Sequence, residues 1–188
     1  MRIIAISKPK VTDDDAYIIK RLLDRGVAYV HLRKPDSDKD ECRRLLESLD
    51  DECRRRIIIH NYPELYSEFS LMGIHINSRV LHLPEGYGGF KTRSCHSLEE
   101  VVRYRNDYDY LFLSPIFDSI SKAGYCSRFS ERELLQAAND GVINDRVVAL
   151  GGVTYDRIDY LRTLGFGGVA MCGAIYSVEA SERFRYLY

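Results

Sequence analysis

Residues 147–173 read VVALGGVTYDRIDYLRTLGFGGVAMCG and contain one complete strand–helix–strand unit. An apolar run is followed by a Gly-Gly pair and then by Ile158, Leu161 and Leu164, which recur at the spacing of one helical face. Gly165 ends that helix before a second apolar run begins. A strand followed by a helix and a second strand predicts parallel pairing through a right-handed crossover.

The same alternation of apolar runs and helical stretches continues along the rest of the chain. Helix N-termini are predicted where Ser or Thr precedes an acidic residue by three positions, as at Thr12, Ser37, Ser97 and Ser130. Between the helices lie short β-branched runs that are typical of buried strands. The predicted strands cover residues 3–6, 27–32, 56–59, 73–76, a run that ends near 95, 110–113, 146–150 and 166–172.

Eight strand–helix alternations predict an α/β fold, and their number favours a compact (β/α)8 TIM barrel. At 188 residues this barrel is smaller than the usual ~250 residues. Residues 77–91 contain one proline and three glycines, so we expect a loop in place of a regular fourth helix. An open doubly wound sheet is the alternative, weakened because no nucleotide-binding glycine pattern follows the first strand. Residues 1–188 are expected to form a single domain.

Composition excludes several classes of protein. The 27 basic and 28 acidic side chains give a formal net charge of −1, which offers no field for attracting nucleic acid or anionic lipid. No apolar stretch approaches the ~18 residues of a membrane span, and residues 1–10 do not resemble a signal peptide. The five cysteines are odd in number and form no CxxC pair, as expected for reduced thiols in a cytoplasmic protein. We therefore expect neither nucleic acid nor a membrane as partner.

Four of the five histidines end or follow predicted strands: His31, His60, His75 and His96, whereas His82 does not. Ligands meet a parallel barrel at the carboxyl ends of its strands, so these four side chains are expected at one titratable rim. Imidazole exchanges protons near neutral pH, which favours proton transfer there. Two other interpretations stay open. The histidines are hydrogen-bonded rim residues, or they form a metal cluster, which is disfavoured because no acid or thiolate joins them at ligand spacing.

Glycines follow the last two predicted strands. Gly151 and Gly152 follow the seventh strand, and Gly173 follows the eighth. Glycine lets backbone amides approach a phosphate, and these two loops are where barrels commonly bind one. The alternative is that Gly-Gly only makes a tight turn. Lys122, in a Ser/Gly-rich loop, is either a ligand of a second anionic group or an ordinary solvated lysine.

Five motifs occur in the order and spacing of a known family. They are HLRKPD at 31–36, IIIHNYPEL at 57–65, SCHSLEEV at 94–101, DYLFLSPIFDSISK at 109–122, and the whole segment 147–177. In these motifs the chain resembles the thiamine phosphate synthase/TenI family. The resemblance implies a compact (β/α)8 barrel, in agreement with the strand count, and a small-molecule thiazole phosphate as partner.

The resemblance implies one of two activities. Synthase members join hydroxymethylpyrimidine diphosphate to hydroxyethylthiazole phosphate and release pyrophosphate with the help of magnesium. TenI-type members bind a carboxylated thiazole phosphate and shift its double bond into the aromatic ring, with a histidine as proton carrier. Both grip the thiazole phosphate with glycine loops that match Gly151, Gly152 and Gly173.

The sequence departs from the synthase pattern mainly at the positions of the two magnesium-binding aspartates. The aspartate of an N-D pair after the third strand is replaced by Asn61, and the G-x-x-D after the fourth strand reads NSRV at 77–80. Mg²⁺ prefers carboxylate and phosphate oxygens, so these replacements should weaken a magnesium site severely. In the Q-x-R-x-K pattern of the second strand, Arg33 is kept and His31 replaces the glutamine, with Lys34 as a neighbouring substitute for the lost lysine. The T-x-T-K diphosphate loop is nearly matched by Ser119, Ser121 and Lys122.

His96 is the expected catalytic residue, because SCHSLEEV resembles the TenI-type stretch that carries the proton-shuttling histidine. Its place before a helix N-terminus predicts a lowered pKa, which leaves a neutral imidazole able to accept a proton. The alternative is a histidine that only anchors the loop.

The leading hypothesis is a TenI-like thiazole tautomerase of thiamine biosynthesis, with no cofactor expected. The alternatives are a thiamine phosphate synthase, which would require Mg²⁺ at a rearranged site, and a non-catalytic barrel that binds a phosphate ligand. The 14 tyrosines leave room for a homodimer without demonstrating one. The expected ligand-binding residues are His31, Arg33, Asn61, Ser119, Ser121, Lys122, Gly151, Gly152 and Gly173.

Overall fold

Eight parallel strands pair in chain order and close into a barrel in the computed structural model, which describes residues 1–77, 80, 82–118 and 128–176. This architecture confirms the predicted (β/α)8 barrel. The strands are shorter than the apolar runs that predicted several of them. They are β1 (Arg2–Ile6), β2 (Tyr29–Leu32), β3 (Ile57–Ile59), β4 (Gly73–Ile76), β5 (Phe90–Cys95), β6 (Tyr110–Leu113), β7 (Val147–Leu150) and β8 (Gly168–Met171).

Helices alternate with the strands along most of the chain. Between β4 and β5 the described residues form no helix, as the Gly/Pro content of 77–91 predicted. No helix in the described ranges is long and apolar enough to span a membrane. The α-helices are α1 (Asp15–Asp24), α2 (Lys39–Glu47), α3 (Asp51–Arg54), α4 (Leu65–Phe69), α5 (Leu98–Tyr104), α6 (Glu131–Asn139) and α7 (Ile158–Thr163). Short 3-10 turns at Tyr155–Arg157 and Ala174–Tyr176 follow β7 and β8.

Helix α2 begins one residue later than predicted. Asp38 is its N-cap and forms a capping box with Glu41, so the predicted start at Ser37 was wrong. The Ser37 hydroxyl instead accepts a hydrogen bond from the Val11 amide at 2.8 Å. At α6 the predicted Ser130 box is present. Two overlapping cap signals stand side by side before α2, and long-range bonding to residue 11 decides between them.

The chain divides into two compact units by its contacts. The first unit comprises residues 4–92 and carries β2, β3 and β4, whose isoleucines at 57–59 are at most 1% exposed. The second comprises residues 1–3 and 93–188, and it carries β6, β7 and β8. In the second unit Gly167 and Gly168 face the backbone of Asp145 and Arg2, where no Cβ would fit without displacement. That pair serves strand packing.

Candidate functional site

Three histidines of the first unit meet at the ends of neighbouring strands. His31 lies on β2, His60 directly follows β3, and His75 lies on β4. One ring nitrogen from each lies within 4.8 Å of the others. The His60 and His75 rings are stacked with centroids 4.1 Å apart, and the His31 ring stands edge-on to both. The strand register therefore collects three imidazoles into one cluster, which we call the histidine cluster.

The histidine cluster is buried, since His31, His60 and His75 are 0%, 7% and 3% exposed. Burial, and then the neighbouring His75, hold the pKa of His31 well below its ordinary value. Burial, His75, His31 and Arg33 lower the pKa of His60 in the same way. Both rings are therefore neutral at pH 7. His31 Nδ1 and His60 Nε2 are 2.8 Å apart, so one of them carries the proton and the other accepts it.

Polar groups around the histidine cluster fix its orientation. Thr92 is fully buried, and its Oγ1 lies 2.8 Å from His75 Nδ1. The Asn77 side-chain amide donates to the carbonyl oxygens of His60 and His75, at 2.9 and 3.2 Å. Asn77 therefore ties the end of β3 to the end of β4.

The described residues of this region do not fit a magnesium ion of the synthase type. Asn61 is half-buried and offers one amide oxygen, and Val80 is a buried apolar side chain. The Asn77 amide nitrogen is turned to two carbonyl groups. Mg²⁺ binds through oxygen ligands in near-octahedral geometry and prefers carboxylates, which neither Asn61 nor Val80 supplies.

Lys34 does not replace the lysine of the synthase pattern. Its ammonium is fully buried, donates to Asp15 Oδ2 at 2.7 Å and to the Lys10 carbonyl at 2.9 Å, and so faces the loop before α1. Arg33, by contrast, is exposed, and its backbone is held by the Ser7 hydroxyl. The suggestion that Lys34 substitutes for a ligand-binding lysine was therefore wrong, because its ammonium is paired with Asp15, 19 residues earlier.

His96 belongs to the second unit, between β5 and α5. Its Nδ1 lies 3.1 Å from the Ser114 carbonyl oxygen. A carbonyl can only accept, so Nδ1 carries a proton, and in the neutral tautomer with this bond the lone pair is on Nε2. The His96 side chain is exposed, and its backbone amide donates to the Glu100 carboxylate while Ser97 caps α5. The ring is thus anchored at one nitrogen and accessible from solvent.

The Gly-Gly pair after β7 requires glycine for two reasons. Gly151 and Gly152 have φ of +92° and +62°, in the region that disfavours other residues. A Cβ on Gly151 would stand 2.7 Å from Pro115 Cα, and one on Gly152 would stand 2.8 Å from Phe117 Cβ. The pair therefore packs directly against the segment after β6, and this close approach alone explains both glycines.

Two backbone amides lie just after β7 and β8, at Gly152 and Gly173. Among the described residues, none accepts a backbone hydrogen bond from the amides of Gly152 or Gly173. A Cβ on Gly173 would meet none of the described residues within 4 Å. The phosphate interpretation of these loops stays a prediction, and Ser119, Ser121 and Lys122 lie outside the described residues.

Sequence reasoning missed a cationic residue at this turn. Arg157 donates from Nη1 to the Gly152 carbonyl at 3.1 Å, and its guanidinium lies 4.2 Å from the centre of the Phe117 ring. The i to i+5 spacing gave no signal, because the contact depends on the positive φ of the preceding glycines. Arg157 places a positive charge beside the Gly-Gly turn.

Comparison with known proteins adds independent information. A model of the thiamine monophosphate synthase family matches residues 3–175. The thiamine-phosphate synthase of Chlorobium luteolum is 28% identical over 185 residues, which cover 92% of this chain and 86% of that protein. That of Parasynechococcus marenigrum is 30% identical over 178 residues, and the match spans 49% of that longer protein.

Among solved structures, a thiamine phosphate pyrophosphorylase from Bacteroides thetaiotaomicron superposes with a TM-score of 0.87 at 31% identity. The superposition covers 100% of this chain and 98% of that one. The matched residues extend from the first strand to the turn after the eighth. The chain therefore belongs to the thiamine monophosphate synthase (TMP-TENI) family of thiamine biosynthesis enzymes.

Proposed function

We propose that this protein is a TenI-like thiazole tautomerase that binds a carboxylated thiazole phosphate and moves a proton on it with His96. The observation that carries the proposal is the anchored, exposed imidazole: its Nδ1 donates to the Ser114 carbonyl at 3.1 Å, which directs Nε2 to the substrate as a base. The resemblance of SCHSLEEV to the TenI-type stretch supports the same residue.

His96 acts in two steps that leave no net change on the enzyme. Nε2 accepts a proton from the ring carbon that must become aromatic, and the electron pair of that C–H bond enters the ring. The exocyclic double bond shifts, and its far carbon receives a proton from the same Nε2–H. The Ser114 carbonyl stabilises the imidazolium formed between the steps, because it accepts from Nδ1–H throughout.

The glycine loops of the same unit would hold the phosphate. The amides of Gly152 and Gly173 and the guanidinium of Arg157 offer hydrogen-bond donors and positive charge without a Cβ in the way. A dianionic ester bound there leaves the thiazole free to reach a proton carrier.

The test is to follow aromatisation of the carboxythiazole phosphate tautomer by ultraviolet absorbance. Wild-type protein should accelerate it, and His96→Gln should lower kcat by roughly 10²–10⁴-fold with little change in KM. His82→Gln is the matched control, because His82 is an exposed histidine outside this site. No acceleration by the wild type, or full activity in His96→Gln, would refute the proposal.

A second candidate is thiamine phosphate synthase activity, supported by the names of the relatives that match. Against it stand Asn61 and Val80 at positions where carboxylates would be needed. Supplying both synthase substrates with Mg²⁺ and measuring pyrophosphate separates the two. Pyrophosphate release without tautomerisation would select the synthase, and thiazole phosphate binding with neither reaction would select a non-catalytic barrel.

A further inference from the structure

We propose that His31, His60 and His75 form a binding site for a divalent transition-metal ion of the zinc class, held by three imidazole nitrogens. The histidine cluster lies in the unit of residues 4–92, whereas His96 belongs to the other unit. The proposal therefore does not depend on the tautomerase activity.

The geometry of the histidine cluster is close to that of a three-histidine metal site. Zn–N bonds of about 2.0–2.1 Å place tetrahedral ligand atoms roughly 3.3 Å apart. His31 Nδ1 and His60 Nε2 are 2.8 Å apart, and one ring nitrogen of each of the three histidines lies within 4.8 Å of the others. Small rotations of the rings would lengthen the 2.8 Å distance between His31 and His60 and bring the His75 nitrogen into range of the same ion.

An ion would take the place of the proton that His31 and His60 share. The ring that carries this proton moves it to its outer nitrogen, whereas the accepting ring already has its hydrogen there. Both rings then point a lone pair at the metal, and no proton is gained or lost. His75 needs no such change if Nδ1 donates to Thr92 Oγ1, since its Nε2 is then the ligand. A second hydrogen bond of this kind is what orients metal-binding histidines in general.

The chemistry of the ligands selects the class of metal. Imidazole suits Zn²⁺, Cu²⁺, Ni²⁺ and Fe²⁺, whereas Mg²⁺ requires oxygen. Rings that are already neutral are in the form that binds metal. Three neutral ligands leave the ion's charge uncompensated, so the fourth ligand is expected to be a water that ionises readily. His60 is the most exposed of the three at 7%, which gives the side from which the ion enters.

The experiment uses the full chain, stripped with a chelator and titrated with Co²⁺ and Zn²⁺. We expect one equivalent of Co²⁺ to bind with the intense visible absorption of a tetrahedral complex and to be displaced by Zn²⁺. His60→Asn restores the asparagine that the synthase pattern carries, so it should fold, and it should weaken binding at least ~100-fold. Thr92→Val should weaken binding by ~10–100-fold through the lost orientation of His75.

Controls make every result decisive. His82→Gln should bind Co²⁺ as the wild type does, and circular dichroism shows whether each variant is folded. Absence of stoichiometric Co²⁺ binding by the wild type overturns the proposal. So does binding that survives unchanged in both His60→Asn and His31→Gln. If one variant fails to fold, the wild-type spectrum and the Thr92→Val titration still decide.

Discussion

The two compact units present different chemistry after their strands. In the unit of residues 93–188, β7 and β8 are followed by glycines, and the functional groups are backbone amides and a carbonyl-anchored His96. In the unit of residues 4–92, the functional groups are side chains: three imidazoles on or directly after β2, β3 and β4, and the buried ion pair of Lys34 with Asp15. The glycine loops of the unit of residues 93–188 offer backbone amides of the kind that a phosphate ester accepts hydrogen bonds from. In the other unit, Asn61 and Val80 stand where the synthase pattern has aspartates, and the histidine cluster offers imidazole nitrogens.

The largest expected effect on stability comes from the buried ion pair in the unit of residues 4–92. Lys34→Met removes the partner of Asp15, whose carboxylate is 5% exposed and would stay buried and unpaired. We expect the free energy of unfolding to fall by about 3–5 kcal/mol, measured by urea denaturation. Lys20→Met breaks the exposed pair with Asp50 and should leave the free energy of unfolding nearly unchanged, because solvent screens that pair. Equal losses in the two variants would contradict a structural role for Lys34.

In the unit that contains residues 93–188, Gly152→Ala should lower the free energy of unfolding by about 2–3 kcal/mol. The new Cβ meets Phe117 Cβ at 2.8 Å and lies against the Asp118 carbonyl, in addition to the strain of φ +62°. Gly141→Ala is the control for strain alone, because φ is +69° there and none of the described residues lies within 4 Å of a Cβ at this position. We expect it to cost about 1 kcal/mol. Thermal unfolding of both variants separates the steric clash of the new Cβ from backbone strain. If Gly152→Ala loses no more stability than Gly141→Ala, the packing around Gly152 can accommodate a Cβ.

Acid should destabilise the metal-free protein through the histidine cluster. His31 and His60 have pKa values lowered in the folded state by burial, so the unfolded chain binds protons first. Their contribution is fully present above about pH 6.5 and is lost as pH falls below it, by up to ~1.4 kcal/mol per pH unit per histidine. Urea denaturation between pH 7 and 5 should show this slope, and His31→Gln with His60→Asn should flatten it. An unchanged slope in the double variant would assign it to other groups.

The smallest expected effect concerns Arg157, which lies beside the Gly151-Gly152 turn. Arg157→Lys keeps the charge but loses the planar contact with Phe117 and the bond to the Gly152 carbonyl. We expect KM for the thiazole phosphate to rise a few-fold with kcat nearly unchanged. A change in kcat alone would indicate that Arg157 does not act on phosphate binding.

The sequence predicted the barrel because its signals are local. Apolar runs, cap residues such as Ser130, and glycines with positive φ each act within a few positions of the chain. The predicted cap at Thr12 failed locally, since Asp14 is the N-cap of α1, whereas the two other failures depend on contacts between distant positions. Asp38 is the N-cap in place of Ser37 because the Ser37 hydroxyl accepts a hydrogen bond from the Val11 amide. In the same way, Lys34 is not free to bind a ligand because it forms an ion pair with Asp15.

The candidate site divides along the same line. The Gly151-Gly152 turn was visible in the sequence, but its contact with Pro115 was not. The histidines could be placed at strand ends, yet only the register shows that three of them touch. The roles of Ser119, Ser121 and Lys122, together with the homodimer and the cytoplasmic location, stay predictions.

The buried ammonium of Lys34 has a consequence for anyone who reshapes this barrel. It ties the end of one strand to the carbonyl of Lys10 and the first turn of α1. The loop between β1 and α1 is therefore not a free module for grafting. A transplanted loop without an acidic residue at the position of Asp15 would leave the Lys34 ammonium buried and unpaired. Residue 34 and that loop therefore have to be redesigned together.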